Sequence, residues 1–240
     1  MKIINNVSFK FLIFVLFCFG ACVAGCAITS SDKLPDGFVV VSDIMPDVIQ
    51  DIKYFGEDNF IGKRVDCYGE PVAILTKEAA ESLKKANEDF KSHGYMIKIF
   101  DAYRPQSAVD CFINWAKDIN DIKNKENFYP DVDKKDLFDL GYICSKSSHT
   151  RGSTVDMTIV DIENNKEIDT GSNFDFFGDI SHHGTDKITE EQTENRNLIK
   201  SIMEKHGFDS YEYEWWHYTL KNEPYPDTYF DFPVKSYKNQ

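Results

Sequence analysis

The sequence predicts an α+β fold: a single domain with a central, mostly antiparallel sheet flanked by helices. Two observations carry this reading. Helical and strand signals are interspersed without regular βαβ units. No internal repeat, low-complexity tract or proline-rich linker divides the chain after residue 31. With 240 residues and 42% apolar content, the chain is long enough to bury a sizeable core. Its 40 acidic against 27 basic residues give a net charge of −13, which argues against nucleic acid as a partner, since phosphate binding needs a basic surface. Six cysteines are too few for a disulfide-built scaffold.

The first 26 residues read as a signal outside the fold. Lys2 and Lys10 precede the apolar run Phe11–Gly25. That run is about 15 residues, short of the roughly 20 needed to span a bilayer. It ends in Val23-Ala24-Gly25-Cys26, which resembles the lipobox of bacterial lipoproteins, in which the cysteine is lipidated. The resemblance implies a lipid anchor on Cys26, a polar tether over residues 27–35 and a functional domain over 36–240. It also implies a place in the bacterial cell envelope, facing the periplasm or the exterior. An ordinary signal cut near Ala24 is the competing reading. Of the later cysteines, Cys67, Cys111 and Cys144, no two stand in a C-x-x-C pair, so they suggest no metal site.

Within the domain, Val39–Val41 and Val48–Tyr54 read as short strands or extended segments. Thr76 suits the N-cap of a helix over Lys77–His93, with Gly94 at its C-terminal end. Tyr95–Phe100 is a short apolar strand. Pro105 suits the first turn of a second helix, whose apolar face is Val109, Phe112, Ile113, Ala116 and Ile119. Ser153–Val160 alternates, with Val155, Met157 and Ile159 on one side and Thr154, Asp156 and Thr158 on the other, a strand of period two. Thr189 and Gln192 form a capping box for a third helix ending at Gly207. Tyr211–Leu220 is rich in aromatics and reads as a further strand.

Three segments hold the chemistry: Ser147–Asp156 (SSHTRGSTVD), Glu214–His217 (EWWH) and Asp101–Pro105 (DAYRP). His149, Asp156 and His217 supply two imidazoles and a carboxylate, the ligand number and type of a catalytic zinc site that keeps one position open. A carboxylate between Val155 and Met157 is costly to bury without a partner or a metal; the alternative is that Asp156 faces water on a half-exposed sheet. Glu214 lies near the second histidine and suits a general base.

Together these segments resemble the D-alanyl-D-alanine dipeptidases of the vancomycin-resistance type, in the zinc D,D-peptidase superfamily with its Hedgehog-like fold. The pattern S-x-H-x-x-G-x-x-x-D followed by E-x-x-H is met by Ser147, His149, Gly152, Asp156, Glu214, Trp216 and His217. The resemblance runs from about Tyr54 to Tyr218. It implies one Zn2+ per chain on His149, Asp156 and His217, with Glu214 as catalytic base and Arg104 stabilising the transition state. It implies that Asp175 receives the substrate ammonium, and that Ser147, Tyr54, Tyr68 and Phe112 lie near the bound dipeptide.

The chemistry agrees. Arg104 is always charged and offers a planar fork of donors suited to an oxyanion. A carboxylate set for a free amino end, as Asp175 would be, penalises N-blocked peptides and favours a dipeptidase over a carboxypeptidase. A zinc peptidase trimming longer peptidoglycan stems, or an inactive wall-peptide binding lipoprotein, are the alternatives. In a regular strand Glu214 and His217 would point to opposite faces, so a bend or bulge is expected between them, or Glu214 in the loop before the strand. His182 and His183 are expected outside the ligand set, and Trp215 and Trp216 in packing.

Overall fold

The computed structural model describes residues 33–237. The signal, Cys26 and most of the tether lie outside the described residues. Leu34, at the tether's end, already packs into the core.

The chain opens with β1 (Phe38–Val40), the one-turn α1 (Val41–Ile44) and the two-residue β2 (Ile49–Gln50). The strand expected over Val48–Tyr54 is thus cut short, and Lys53–Phe55 forms a 3-10 turn instead. β3 (Ile74–Thr76) leads into α2 (Lys77–Ser92). Thr76 Oγ1 accepts from Ala79 N, as its N-cap position requires. Gly94 takes φ +87° just past the helix, a conformation that favours glycine. Burying Leu83 and Phe90 of α2 contributes about 1.5–3 kcal/mol each.

β4 (Tyr95–Asp101) and α3 (Gln106–Lys117) follow. Pro105 sits one residue before the helix, not inside its first turn. The helix stops at Lys117, so Ile119 falls beyond it and is 61% exposed; Trp115 and Ala108 complete the buried face with Val109, Phe112 and Ala116. The one-turn α4 (Lys125–Phe128) precedes β5 (Thr154–Asp161). The third predicted helix is α5 (Glu190–Lys205), and both hydrogen bonds of the Thr189–Gln192 capping box are present. The predicted final strand is two strands, β6 (Phe208–Tyr211) and β7 (Glu214–Leu220), joined at Glu212–Tyr213.

β1 and β3 form a small antiparallel pair. The main sheet has the order β2-β4-β5-β7-β6, with β2 parallel to β4 and every other pairing antiparallel. Helices α2 and α5 pack against one another and against this sheet. β5, at its centre, differs from a half-exposed strand: Thr154, Asp156 and Thr158 are as buried as Val155, Met157 and Ile159. The polar side of the alternation faces the protein interior.

Candidate active site

Backbone register assembles the site. Asp101 of β4 pairs with Asp156 of β5, and Asp156 pairs with His217 of β7. Directly opposed residues of antiparallel strands share a face, so these three side chains form one row across the sheet. His149 joins the row from a 3-10 turn, Ser148–Arg151, entered through Ser147, whose Oγ accepts from His149 N. Gly152 ends that turn at φ +83°, and its Cα faces the ring of Phe38 so closely that a side chain there would overlap it.

The ligand atoms converge. Asp156 Oδ2 lies 3.1 Å from His149 Nε2, Asp156 Oδ1 lies 3.1 Å from His217 Nδ1, and the two imidazole nitrogens are 3.3 Å apart. Ligands at about 2.0–2.1 Å from a tetrahedral zinc stand a little over 3 Å from each other, so these spacings suit it. Buried Asp156 Oδ1 has no hydrogen-bond partner, the condition of an atom whose lone pair is meant for a cation. The opposite nitrogens are also tied. His149 Nδ1 contacts the carbonyl oxygen of Ala102 at 2.7 Å, and His217 Nε2 contacts Ser148 Oγ at 3.1 Å. Each ring is thereby oriented with its other nitrogen toward the cluster. The residues present therefore fit a zinc ion. Among the described residues this trio is the group of His, Cys, Asp or Glu placed to hold a metal; His182 and His183 stand apart, His182 against the ring of Tyr213.

Charge in the cluster is strongly coupled. Burial alone would raise the Asp156 carboxyl, but the two imidazoles outweigh it and hold it well below the usual carboxylate range. Burial alone would lower His217, but Asp156 and Glu214 push it up to about 9.

Glu214 Oε2 sits 3.3 Å from His217 Nδ1, although the two are three residues apart in one strand. The expected irregularity is present in the β6–β7 pairing. Ser210 pairs with Tyr218 but Tyr211 pairs with Glu214, so Trp215, Trp216 and His217 have no partner in β6. Glu214 is the first residue of β7 and remains partly exposed, open to a reactant.

Arg104 is held on four sides. Nε donates to Asp101 Oδ2 at 2.8 Å and Nη2 to Asp156 Oδ2 at 3.3 Å. Its guanidinium lies over the rings of Tyr54 and Phe112, 5.0 and 5.3 Å from their centroids. Nη1 has no hydrogen-bond partner among the described residues, and Arg104 lines a cavity of about 460 Å³ that also contains the ligand trio and Glu214. Tyr54, Phe112, Ser147 and Asp175 line the same cavity. Asp175 takes φ +59°, unusual for a residue with a side chain, and Tyr54 OH donates to its Oδ2 at 2.8 Å. Burial raises the Asp175 carboxyl well above its ordinary range, with Arg104 opposing.

Tyr68 does not line this cavity. It is fully buried, and its hydroxyl donates to Asp101 Oδ1 at 2.7 Å, so its link to the site runs through Asp101 and Arg104. Sequence reasoning missed Asp101, although it stands in the DAYRP segment. A carboxylate closing a mostly apolar strand, three before an arginine, was the available signal. It also missed Ser148, which nothing distinguishes from Ser147 in sequence.

Comparison with known proteins gives the family. A family described as D-ala-D-ala dipeptidase, peptidase M15, matches residues 35–235. A D-alanyl-D-alanine dipeptidase of Enterococcus faecium is 44% identical over 199 residues, 83% of this chain and 98% of that protein. The protein of the same name from Enterococcus faecalis is 43% identical over 84% of this chain and 100% of its own length, and that of Streptomyces coelicolor 40% over 82% and 98%. Among solved structures, LdcB LD-carboxypeptidase is similar at a TM-score of 0.40 and 19% identity, over 80% of this chain and 71% of that one. The chain belongs to the M15 peptidase family of D-Ala-D-Ala dipeptidases.

Proposed function

We propose that the protein hydrolyses D-Ala-D-Ala to two D-alanines with one zinc ion, outside the cytoplasm and held to a membrane by lipid on Cys26. The observation that carries the dipeptidase reading is the pairing, in one cavity, of the His149–Asp156–His217 trio with the Asp175 carboxylate. The relatives' shared name and the family match support it.

Zinc on the trio would supply a Lewis acid toward the scissile carbonyl and lower the pKa of water. The remaining work falls to the protein. Asp175 receives the substrate ammonium and fixes the amino end. Glu214 takes a proton from the attacking water as the carbon–oxygen bond forms, and passes it to the departing amine as the carbon–nitrogen bond breaks. Arg104 offers its free Nη1 donors to the oxygen that gains charge, a contribution of about 3–4 kcal/mol when one such donor is lost. Asp101 and Tyr68 hold Arg104 in place.

Export is supported by Lys2, Lys10, the apolar run and Cys26, all outside the region matched by the family. An exported enzyme cannot reach the cytoplasmic precursor pool, so its role is turnover of wall-derived D-dipeptides. Lipid on Cys26 is tested by mass spectrometry of the native N-terminus and by loss of membrane association in Cys26→Ser. The activity is tested by D-alanine release from D-Ala-D-Ala and from its N-acetyl form, with Glu214→Ala as control. Release from the free dipeptide alone supports the reading. Equal release from the acetylated form moves the protein to the wall-trimming peptidases.

A further inference from the structure

Asp175 stands in a long loop between β5 and α5, and a single side chain clasps that loop on both sides of Asp175. Arg196 of α5 is buried, and its guanidinium is spent on the loop. Nε donates to Thr170 O at 2.6 Å, Nη1 to His182 O at 3.0 Å and Nη2 to Ile180 O at 2.8 Å. Nη2 also reaches Ser172 Oγ at 3.3 Å. Two neighbours on the same helix face reinforce the near end. Gln192 Nε2 donates to Asp169 Oδ2 and Asn195 Nδ2 to Asp169 O, at 2.9 and 2.8 Å. The spacing 192, 195, 196 puts all three on one side of α5.

Ser172 is the hub. Trp215 Nε1, one residue from Glu214, donates to its Oγ at 2.9 Å. Arginine and tryptophan can only donate, so both lone pairs of Ser172 Oγ are occupied. Its own proton then points to Ser181 Oγ at 3.3 Å, and Ser181 Oγ donates to Phe176 O at 2.6 Å. The direction of every bond is fixed by its chemistry. The chain begins at the strand that carries Glu214 and ends at the residue after Asp175.

We infer that Arg196 and Ser172 are positioning residues for dipeptide selectivity: they lock the Asp175 loop to the Glu214 strand at the separation that a free dipeptide spans. The inference rests on the dipeptidase reading. Asp175 keeps a left-handed backbone, uncommon for a residue with a side chain though better tolerated by aspartate than by most. The Ser172 network supplies that constraint from both sides. Without it, the carboxylate relaxes away from the ammonium position while the zinc trio, held by the β5–β7 pairing and the Ser148–Arg151 turn, stays in place.

The test compares the protein with its Ser172→Ala, Ser172→Thr, Arg196→Lys and Asp175→Asn variants on D-Ala-D-Ala and on the N-acetyl form. Zinc content and Tm are measured in parallel. Ser172→Ala and Arg196→Lys are expected to lower the ratio of kcat/KM for free over acetylated dipeptide by about tenfold, the worth of roughly one buried hydrogen bond. The change should come through KM for the free dipeptide, with zinc retained. Ser172→Thr restores the hydroxyl and the ratio. A merely structural role lowers Tm and scales both substrates together, and an unchanged ratio in Ser172→Ala overturns the inference. If the unmodified protein releases no D-alanine, or Asp175→Asn leaves the ratio intact, the underlying reading fails, which is a different result from failure of the Ser172 variants alone.

Discussion

The Nδ1 atom of His149 lies 2.7 Å from the backbone carbonyl oxygen of Ala102. A carbonyl only accepts, so Nδ1 carries a proton and Nε2 is the atom turned toward the point where Asp156 and His217 converge. The ring's tautomer is thus imposed by a backbone atom, which no side-chain substitution at position 102 removes.

Zinc stoichiometry should follow from this arrangement. His149→Ala, Asp156→Ala and His217→Ala are each expected to fall well below one zinc per chain by elemental analysis. Glu214→Ala is expected to keep its zinc and lose about 10²–10⁴-fold in kcat, the usual range for a general base. Loss of metal in the Glu214 variant contradicts the separation of roles.

Arg104→Lys keeps the positive charge but loses the planar fork that binds Asp101 and Asp156 together. We expect kcat/KM to fall about 10²–10³-fold with zinc retained. Recovery of full activity by lysine would show that charge alone suffices.

Asp175→Asn should trade activity for stability. Burial raises the Asp175 carboxyl well above the ordinary value of 3.8, so the fold favours its protonated form. Its destabilising effect is absent below the unfolded value and grows as pH rises toward the folded one. Asparagine tolerates the left-handed backbone and cannot ionise. The variant should therefore melt higher than the parent at neutral pH, by about 2–4 °C per kcal/mol, with the gain vanishing near pH 4. Thermal melts at both pH values decide it.

His183 adds an acid sensitivity of its own. Its Nε2 is buried without a partner, and burial, with Lys200 and Arg196 nearby, pushes its pKa down to about 4. Its backbone N–H is held by Glu212 O. Between the ordinary value of 6.5 and about 4, the unfolded chain takes up a proton that the folded chain refuses. Stability is therefore lost as pH falls through that window and levels off below it. His183→Asn should flatten this part of the profile in denaturant midpoints measured from pH 7 to 4.

Gly152→Ala is expected to destabilise by about 2–4 kcal/mol, because it combines an unfavourable positive φ with overlap on Phe38. The glycine of the histidine motif is thus a steric requirement, checked by denaturant unfolding.

What the sequence discloses follows the range of the physics involved. Thr76, Gly94 and the Thr189–Gln192 box act within one turn, and the helices they bound appear where expected. The zinc trio was visible because side-chain chemistry marks it. Ile119 misled because its spacing continues a helical face that ends at Lys117, where the sequence carries no strong stop. Tyr68 is expected near the dipeptide by resemblance but sits behind Asp101, a distinction only packing makes. The Arg196 clasp was invisible because most of its acceptors are backbone carbonyls, which every residue has.

The row Asp101–Asp156–His217 is also a constraint on how the gene can change. Each member is placed by counting along a strand, so slipping β7 by one residue would turn His217 to the other face of the sheet. The site would be lost with every side chain still encoded. Length changes should therefore be refused at the Glu212–Tyr213 connection, which sets that count. They should be accepted at the exposed turn around Asn165, beyond the far end of β5.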